Sequence, residues 1–261
     1  MKSVLLAVEG SAADLLVSDL WEYGTTGILE ERDGLRAFFG DDTDVSELLV
    51  RHRDLVLEVR SEQPIDWQQV SREGWDPLTV GQRFFVVPPW VKEPTPEGRM
   101  RLVFDSMMAF GTGRHESTQL AIEALETYVR PGQTVVDIGC GTGILSKAAE
   151  MLGAGRVLAC DVDPNAASEA HQHLGSRVFV GSANAIRTAV ADIVCANITA
   201  AVLEKIGAEL SRIVKENGTM ILAGFIAEDL PKVFKPEHTF TRGDWVCWIV
   251  SGSRAPTAPS T

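Results

Sequence analysis

The sequence predicts an α/β protein with a doubly wound, mostly parallel sheet, preceded by a small α+β domain. Three observations predict this. From residue 117 onward, apolar strands alternate with amphipathic helices, as in a parallel sheet covered on both faces. Residues 1–60 read instead as β-α-β-β-α-β, the order of a ferredoxin-like unit. Residues 61–96 contain several prolines and follow neither pattern.

Composition limits the classes of function. The chain has 261 residues, 45% of them hydrophobic, which is enough for one large or two smaller cores. Its net charge of -12 is compatible with a basic protein partner, and we expect no direct nucleic-acid binding. The four cysteines are widely spaced, as in a reducing compartment, and the first apolar run is too short for a signal peptide or membrane span. We expect a cytoplasmic monomer.

In the first domain, "KSVLLAVEG" and "DLVLEVR" predict strands. "SAADLLVSDLWEYG" and "DVSELLVRH" predict helices, and "TGILEERDGLRAFFG" predicts a hairpin around Asp33 and Gly34. We therefore assign residues 1–60 to a ferredoxin-like substrate-recognition domain. Residues 61–96 are predicted to be a linker with a short helix that packs on the second domain.

The second domain is predicted to span residues 97–252, with a disordered tail at residues 253–261. Five apolar strands, of which "TVVDIG" is the first and "GTMILAG" the last, alternate with helices. A further helix is predicted near "IAEDLPKVF". The closing "TFTRGDWVCWIVSG" predicts a hairpin, which adds an antiparallel strand to the sheet and whose two strands bring the total to seven.

A glycine loop, "DIGCGTG", follows the first of these strands. Gly139, Gly141 and Gly143 permit a tight turn and close approach of the backbone to a ligand. Ligands of such sheets bind beyond the carboxyl ends of the strands. Asp137 lies where it would repel a pyrophosphate but help to hold an amine-bearing ligand. An ordinary strand-to-helix turn is the alternative.

Polar side chains also end the second and fourth strands. Asp161 is placed to accept the hydroxyls of a ribose, whereas Asp163, directly before Pro164, is predicted to cap the next helix. Asn197 is expected to point into the same crevice, with a helix cap as the alternative. His171 and His173 are two positions apart on a predicted helix and do not share a face, and we predict no metal site.

These features resemble the class I S-adenosylmethionine-dependent methyltransferases, which have a Rossmann-like sheet. The stretch "MAFGTGRHESTQLAIEAL" resembles the signature of ribosomal protein methyltransferases of the PrmA type, which trimethylate the large-subunit stalk protein L11. "DWQQVSREGWDPLTVGQRFFVVPPW" and "GDWVCWIVSG" resemble that family's linker and closing strands, so the resemblance covers nearly the whole chain.

The resemblance implies S-adenosylmethionine as cofactor and a large-subunit ribosomal protein as substrate. Thr118, Gly139, Asp161 and Asn197 fall on the family's cofactor-contacting positions. Phe110, Gly111 and His115 fall in its loop over the methionine end of the cofactor. This loop would form a second wall facing "DIGCGTG", with the Phe110 ring near the sulfonium, where a cation–π contact contributes about 0.5–2 kcal/mol.

The expected reaction is methyl transfer to lysine side-chain amines, with the N-terminal α-amine as a further target. We expect Asn197 to accept an N–H of the amine or of the cofactor. His115 is either a general base or a hydrogen-bonding organiser of its loop, and we favour the second role. A class I methyltransferase acting on another protein, an RNA or a small molecule stays open, as does a non-catalytic cofactor-binding protein. The G-x-G-x-G spacing disfavours a nicotinamide dehydrogenase.

Overall fold

The computed structural model describes residues 1–8, 11–62, 77–104 and 115–252. The chain divides into two compact units, Met1–Trp75 and Asp76–Thr261. Each unit has hydrophobic clusters of its own among these residues. None of the helices in the described part of the chain has the length and apolarity needed to span a bilayer.

The first unit follows the predicted β-α-β-β-α-β order. Its elements are β1 (Lys2–Leu6), α1 (Ser11–Glu22), β2 (Gly27–Glu31), β3 (Gly34–Phe39), α2 (Ser46–Arg51) and β4 (Val56–Ser61). The strands form one antiparallel sheet in the order β2-β3-β1-β4. This is the ferredoxin-like arrangement, because the two central strands come from different halves of the unit.

The predicted hairpin in this unit forms, with Arg32 and Asp33 as its turn. Glu31 pairs with Gly34, so the second strand starts directly after the turn. Gly34 has φ +141°, and a Cβ atom there would lie 2.0 Å from the carbonyl oxygen of Leu6 on the neighbouring strand. Only glycine fits this position, because both the backbone conformation and the packing exclude a side chain.

The second unit begins with three short strands, β5 (Leu78–Val80), β6 (Phe84–Val87) and β7 (Met100–Val103), which form their own sheet. β5 and β6 lie in the stretch predicted as a linker. Val80, Phe84 and Val86 are fully buried and belong to a core cluster of the second unit. These strands therefore pack on the second unit. The stretch predicted to form the short helix of the linker, and the tail at residues 253–261, lie outside the described residues.

The remaining elements form the main sheet and its helices. They are α3 (Glu116–Tyr128), β8 (Thr134–Ile138), α4 (Ile144–Met151), β9 (Arg156–Asp161), α5 (Pro164–Leu174), β10 (Val178–Val180), β11 (Ala191–Asn197), α6 (Ala200–Ile213), β12 (Val214–Ile226), β13 (His238–Arg242) and β14 (Trp245–Ser251). The strand order is β10-β9-β8-β11-β12-β14-β13, and β14 runs antiparallel to β12. The doubly wound, seven-stranded prediction is confirmed.

Alternate strand residues face opposite sides of this sheet. Val135 packs in the cluster that includes α3 and α4, whereas Val136 packs in the cluster that includes α6. Ile193 and Val194 divide in the same way. Both faces are therefore apolar, which explains why the strands read as continuous hydrophobic runs.

The prediction of a helix near "IAEDLPKVF" is wrong. Residues 227–234 form turns and irregular backbone. Ile226 completes β12 by pairing with Trp245, and the N–H of Ala227 donates to the carbonyl of Asp244 at 2.9 Å. Pro231 has no N–H, and the N–H of Lys232 donates to a Glu204 carboxylate at 3.0 Å. The backbone donors that a helix needs are thus absent or used elsewhere.

Candidate functional site

The predicted glycine loop connects β8 to α4 in a left-handed conformation. Gly139, Gly141 and Gly143 have φ values of +69°, +51° and +84°. A Cβ atom on Gly139 would lie 2.5 Å from Cγ2 of Ile198. The glycines are therefore required by the backbone, and the resulting loop has no side chain at these positions to block a ligand.

Asp161 ends β9 beside this loop and is half-buried. One carboxylate oxygen accepts the N–H of Gly141 at 2.9 Å, and the other accepts the N–H of Asp163 at 3.0 Å. Asp163 caps α5 by accepting the N–H of Asn165 at 2.8 Å, and Pro164 is the first helical residue. As predicted, Asp163 caps the helix and Asp161 lies at the end of the strand.

Asn197 ends β11, next to β8 in the sheet. Its Nδ2 donates to the hydroxyl of Thr118 at 3.1 Å, and Thr118 is 1% exposed in the first turn of α3. The pairing of Ala196 with Ile138 sets Asn197 alongside Gly139. Its Oδ1 is buried and has no hydrogen-bond partner among the described residues. A buried acceptor of this kind is costly unless something donates to it, so the site can receive an N–H.

Three separate comparisons bear on this arrangement. Residues 7–252 match the sequence profile of the family described as "Ribosomal protein L11 methyltransferase (PrmA)". The chain belongs to this family. It is therefore an S-adenosylmethionine-dependent methyltransferase.

Individual relatives agree with the family profile. A ribosomal protein L11 methyltransferase of Cupriavidus taiwanensis is 34% identical over 83% of this chain and 78% of its own. One of Dictyoglomus thermophilum is 32% identical over 84% of this chain and 78% of its own. The crystal structure of a ribosomal protein L11 methylase from Lactobacillus delbrueckii subsp. bulgaricus matches with a TM-score of 0.61 at 27% identity, covering 68% of this chain and 98% of that one.

Asp137 lies within β8 and is 1% exposed. Its Oδ2 accepts both the N–H and the hydroxyl of Ser146, at 3.1 and 2.7 Å. Its Oδ1 is buried without a partner in the described part of the chain. The pKa of Asp137 is raised to about 6, mainly because the carboxyl is buried and to a smaller degree by the charge of Asp161, while the Ser146 hydrogen bonds act in the opposite direction.

Ser146 was not singled out from the sequence of this PrmA family member. It is the third residue of α4, so its N–H is one of the first donors of the helix and has no partner within it. Asp137 supplies that partner from the strand. A polar residue in the first turn after the glycine loop was the available signal.

His115 is the N-cap of α3. Its Nδ1 accepts the N–H of Ser117 at 3.3 Å and lies 2.8 Å from the Ser117 hydroxyl. Its ring packs edge-on against Trp245, with ring centroids 4.3 Å apart. Trp245 begins β14, and the sequence did not point to it as part of this region. These contacts give His115 an organising role in the structure. Phe110 and Gly111 lie outside the described residues.

A second region missed from the sequence lies one strand further out. β10 is followed by a single 3₁₀ turn, Ala183–Ala185, and the N–H of Gly181 donates to the carbonyl of Asp161 at 2.8 Å. Val162, directly after Asp161, is 73% exposed. The available signal in the sequence was an apolar residue between two aspartates at the end of a strand.

Proposed function

We propose that this protein transfers methyl groups to lysine side-chain amines, and to the N-terminal α-amine, of ribosomal protein L11. The observation that carries the proposal is the buried Oδ1 of Asn197, to which no residue in the described part of the chain donates. The bond from its Nδ2 to Thr118 fixes the orientation of the amide. An incoming amine can then donate an N–H to Oδ1.

The residues present fit the cofactor. The loop with Gly139, Gly141 and Gly143 lies at the carboxyl end of β8 with no side chains at those positions. Asp161, at the end of β9, would accept the ribose hydroxyls. The Oδ1 of Asp137, which has no donor among the residues that the structure describes, would accept from the ammonium group of the methionine end. By family resemblance, Phe110, Gly111, His115 and Thr118 complete the cofactor site.

When bound, S-adenosylmethionine supplies an electrophilic methyl group on a sulfonium. A free lysine side chain has a pKa of about 10.4, so its amine enters mostly protonated and has no available lone pair. Burial in the site lowers this pKa, and the proton leaves to water. Asn197 accepts one remaining N–H and directs the lone pair. The N–C bond forms as the C–S bond breaks, and a neutral thioether leaves.

Positioning is the main contribution of the protein in this mechanism. Well-oriented intramolecular reactions gain at most about 7–11 kcal/mol from orientation and avoided solvent reorganisation. The first unit serves in this proposal as the recognition module for L11. A cytoplasmic location is also part of the proposal, and the four cysteines, which are buried free thiols, agree with a reducing compartment.

The test incubates the protein with methyl-labelled cofactor and total ribosomal proteins. Label on L11, mapped to amines by mass spectrometry, supports the proposal. Label on a different protein would assign the enzyme to another substrate, and cofactor binding without any transfer would rule out catalysis on ribosomal proteins.

The role of Asn197 is tested separately. Asn197→Ala should lower kcat about 100-fold, because the substrate amine loses the acceptor that directs its lone pair towards the methyl group. It should change the Kd for S-adenosylhomocysteine by less than about three-fold, or about 0.7 kcal/mol. Asn165→Ala, the same change at an exposed position of α5, is the matched control and should alter neither. If Asn197→Ala lowers turnover and cofactor affinity by the same factor, Asn197 does not act by orienting the substrate amine.

A further inference from the structure

The chain between β10 and β11, residues 181–190, lies next to the proposed ribose position. Val180 pairs with Asp161, and Gly181 donates to the Asp161 carbonyl. The 3₁₀ turn Ala183–Ala185 follows within two residues. A nucleoside whose ribose hydroxyls meet Asp161 would extend its base outward from β9 and towards this turn.

One side chain from another element holds this connection. Arg212, in the last turn of α6, donates from Nη1 to the carbonyl of Ile186 at 2.8 Å and to the hydroxyl of Thr188 at 3.1 Å. From Nη2 it donates to the carbonyl of Ala183 at 3.0 Å. Nε and Nη2 also bind the Glu209 carboxylate, at 2.7 and 2.6 Å. Four of the five N–H donors of the guanidinium therefore form hydrogen bonds, and Nη2 is also in ion-pair contact with Glu209.

The backbone of the connection also depends on this end of α6. Ala189 has φ +51° and is the only non-glycine residue with positive φ in the described ranges. This conformation costs about 1–2 kcal/mol for an alanine. The N–H of Ala189 donates to the carbonyl of Arg212 at 2.9 Å, and that of Val190 to the carbonyl of Ile213 at 2.9 Å. The connection is thus held in an unfavourable conformation by contacts to α6.

We propose that Arg212 is a positioning residue that fixes the base-binding wall of the cofactor site. This inference rests on the proposed function, since it requires an adenine-containing cofactor. Arg212 acts through the carbonyls of Ala183 and Ile186 and touches no reacting atom. Its effect is therefore on cofactor affinity and not on the methyl-transfer step.

Two variants separate charge from geometry. Arg212→Lys keeps the positive charge, but an ammonium cannot span two carbonyls, a hydroxyl and a carboxylate in the plane of a guanidinium. Arg212→Gln removes the charge as well. Lys205→Gln is the matched control, because it removes a positive charge from an exposed position on the same helix.

The experiment measures binding of two probes by calorimetry. S-adenosylhomocysteine carries base, ribose and amino acid, whereas 5′-methylthioadenosine carries only base and ribose. Both Arg212 variants should bind both probes about ten-fold more weakly, which corresponds to about 1.4 kcal/mol. Their KM for S-adenosylmethionine should rise by a similar factor, with kcat at saturating cofactor within about two-fold of wild type. Lys205→Gln should match wild type throughout.

Several results would overturn the inference. If both Arg212 variants bind 5′-methylthioadenosine as tightly as the wild type does, Arg212 does not act through the base-binding wall. A lowered kcat with unchanged KM would place the effect on the chemical step. Unfolding of both variants, followed by circular dichroism, would make Arg212 a stability residue only. If the wild type itself binds neither probe, the proposed function fails together with this inference. If the wild type binds both probes and the Arg212 variants bind them equally well, only the inference about Arg212 fails.

Discussion

Two buried oxygen atoms distinguish the site at the scale of single residues. Asn197 Oδ1 and Asp137 Oδ1 both lack a hydrogen-bond partner among residues that the structure describes. Leaving a buried polar atom unpaired costs about 1–3 kcal/mol. Each side chain has its other polar atom firmly held, by Thr118 and by Ser146. The two free acceptors are therefore oriented in advance for donors that a ligand brings.

The buried carboxyl of Asp137 makes stability depend on pH. Its folded pKa of about 6 lies above the ordinary value of 3.8, so the folded state binds its proton more tightly than the unfolded state does. The stability that it contributes is full below about pH 3.8 and is lost as pH rises through about 6. The loss is about 3 kcal/mol at roughly 1.4 kcal/mol per pH unit.

Asp137→Asn removes this titration and isolates the effect. The unfolding free energy of wild type minus that of the variant should fall by up to about 3 kcal/mol between pH 4 and about pH 7. Urea denaturation at each pH gives this difference. Parallel curves for the two proteins across the range would mean that Asp137 does not titrate there.

His115 gives a second prediction at this scale. Because its Nδ1 caps α3, His115→Gln should cost about 1 kcal/mol of stability, as loss of a helix cap does. The pH dependence of kcat should keep its shape if, as we propose, the ring organises its loop and takes no proton from the substrate. His238→Gln, at an exposed position of β13, is the control. Loss of the acidic limb of the pH–rate profile in His115→Gln alone would instead make it a general base.

At the scale of elements, sequence patterns predicted those features that depend on residues close together in the sequence. The cap at Asp163 with Pro164 after it, and the strand ends at Asp161 and Asn197, are as the sequence indicates. The hairpin also forms, but its turn is at Arg32 and Asp33, one residue before the predicted position. Each depends on residues close in sequence or on the periodicity of one element. The sequence was sufficient for these.

Tertiary contacts determined the features that the sequence did not predict. The segment after Ile226 has helix-forming residues, but its first backbone donor pairs with Asp244 in the neighbouring hairpin. Trp245 reaches His115 only because β14 lies beside β12 in the sheet. Arg212 binds residues 24 to 29 positions away in sequence. No periodicity or motif in the sequence marks any of these contacts.

The glycine loop provides the prediction for this scale. Gly139→Ala should lose about 1–2 kcal/mol of stability through the left-handed backbone and also bring Cβ 2.5 Å from Ile198. Relieving that contact displaces the loop, so the Kd for S-adenosylhomocysteine should rise at least about ten-fold. Calorimetry and thermal unfolding measure the two effects.

Gly98→Ala is the matched control for the loop. Gly98 has a similar φ of +77°, but nothing lies within 4 Å of its added Cβ. It should show the same order of stability loss with unchanged affinity. Equal affinities in Gly139→Ala and wild type would mean that the loop does not contact the cofactor.

At the scale of the whole molecule, the two units have different tasks in the proposed function. The cluster built on Val4, Leu6 and Phe39 lies entirely in the first unit. The glycine loop, Asp161 and Asn197 lie entirely in the second. Separate cores permit one unit to lose stability without the other. Apart from the helix wrongly expected after Ile226, the order of strands and helices from β8 onward and in the first unit was predictable from hydrophobic periodicity, because each unit folds around contacts of its own.

Gly34→Ala in the full chain tests this separation. The added Cβ would lie 2.0 Å from the backbone oxygen of Leu6, which cannot move without disturbing the central strand of the first sheet. We expect a stability loss of about 3 kcal/mol in the first unit, at the upper end of ordinary single substitutions. The Kd for S-adenosylhomocysteine should stay within about two-fold of wild type, while kcat/KM for L11 methylation should fall at least about ten-fold.

Gly24→Ala is the control within the same unit, since its φ is +77° and its nearest neighbour is 4.0 Å away. It should retain most of the L11 methylation. If Gly34→Ala lowers cofactor affinity as much as methylation, the units are coupled, because damage to the first then reaches the second. If it leaves L11 methylation intact although calorimetry shows the first unit destabilised, recognition of the substrate lies in the second unit, and the charges that attract L11 must be sought there.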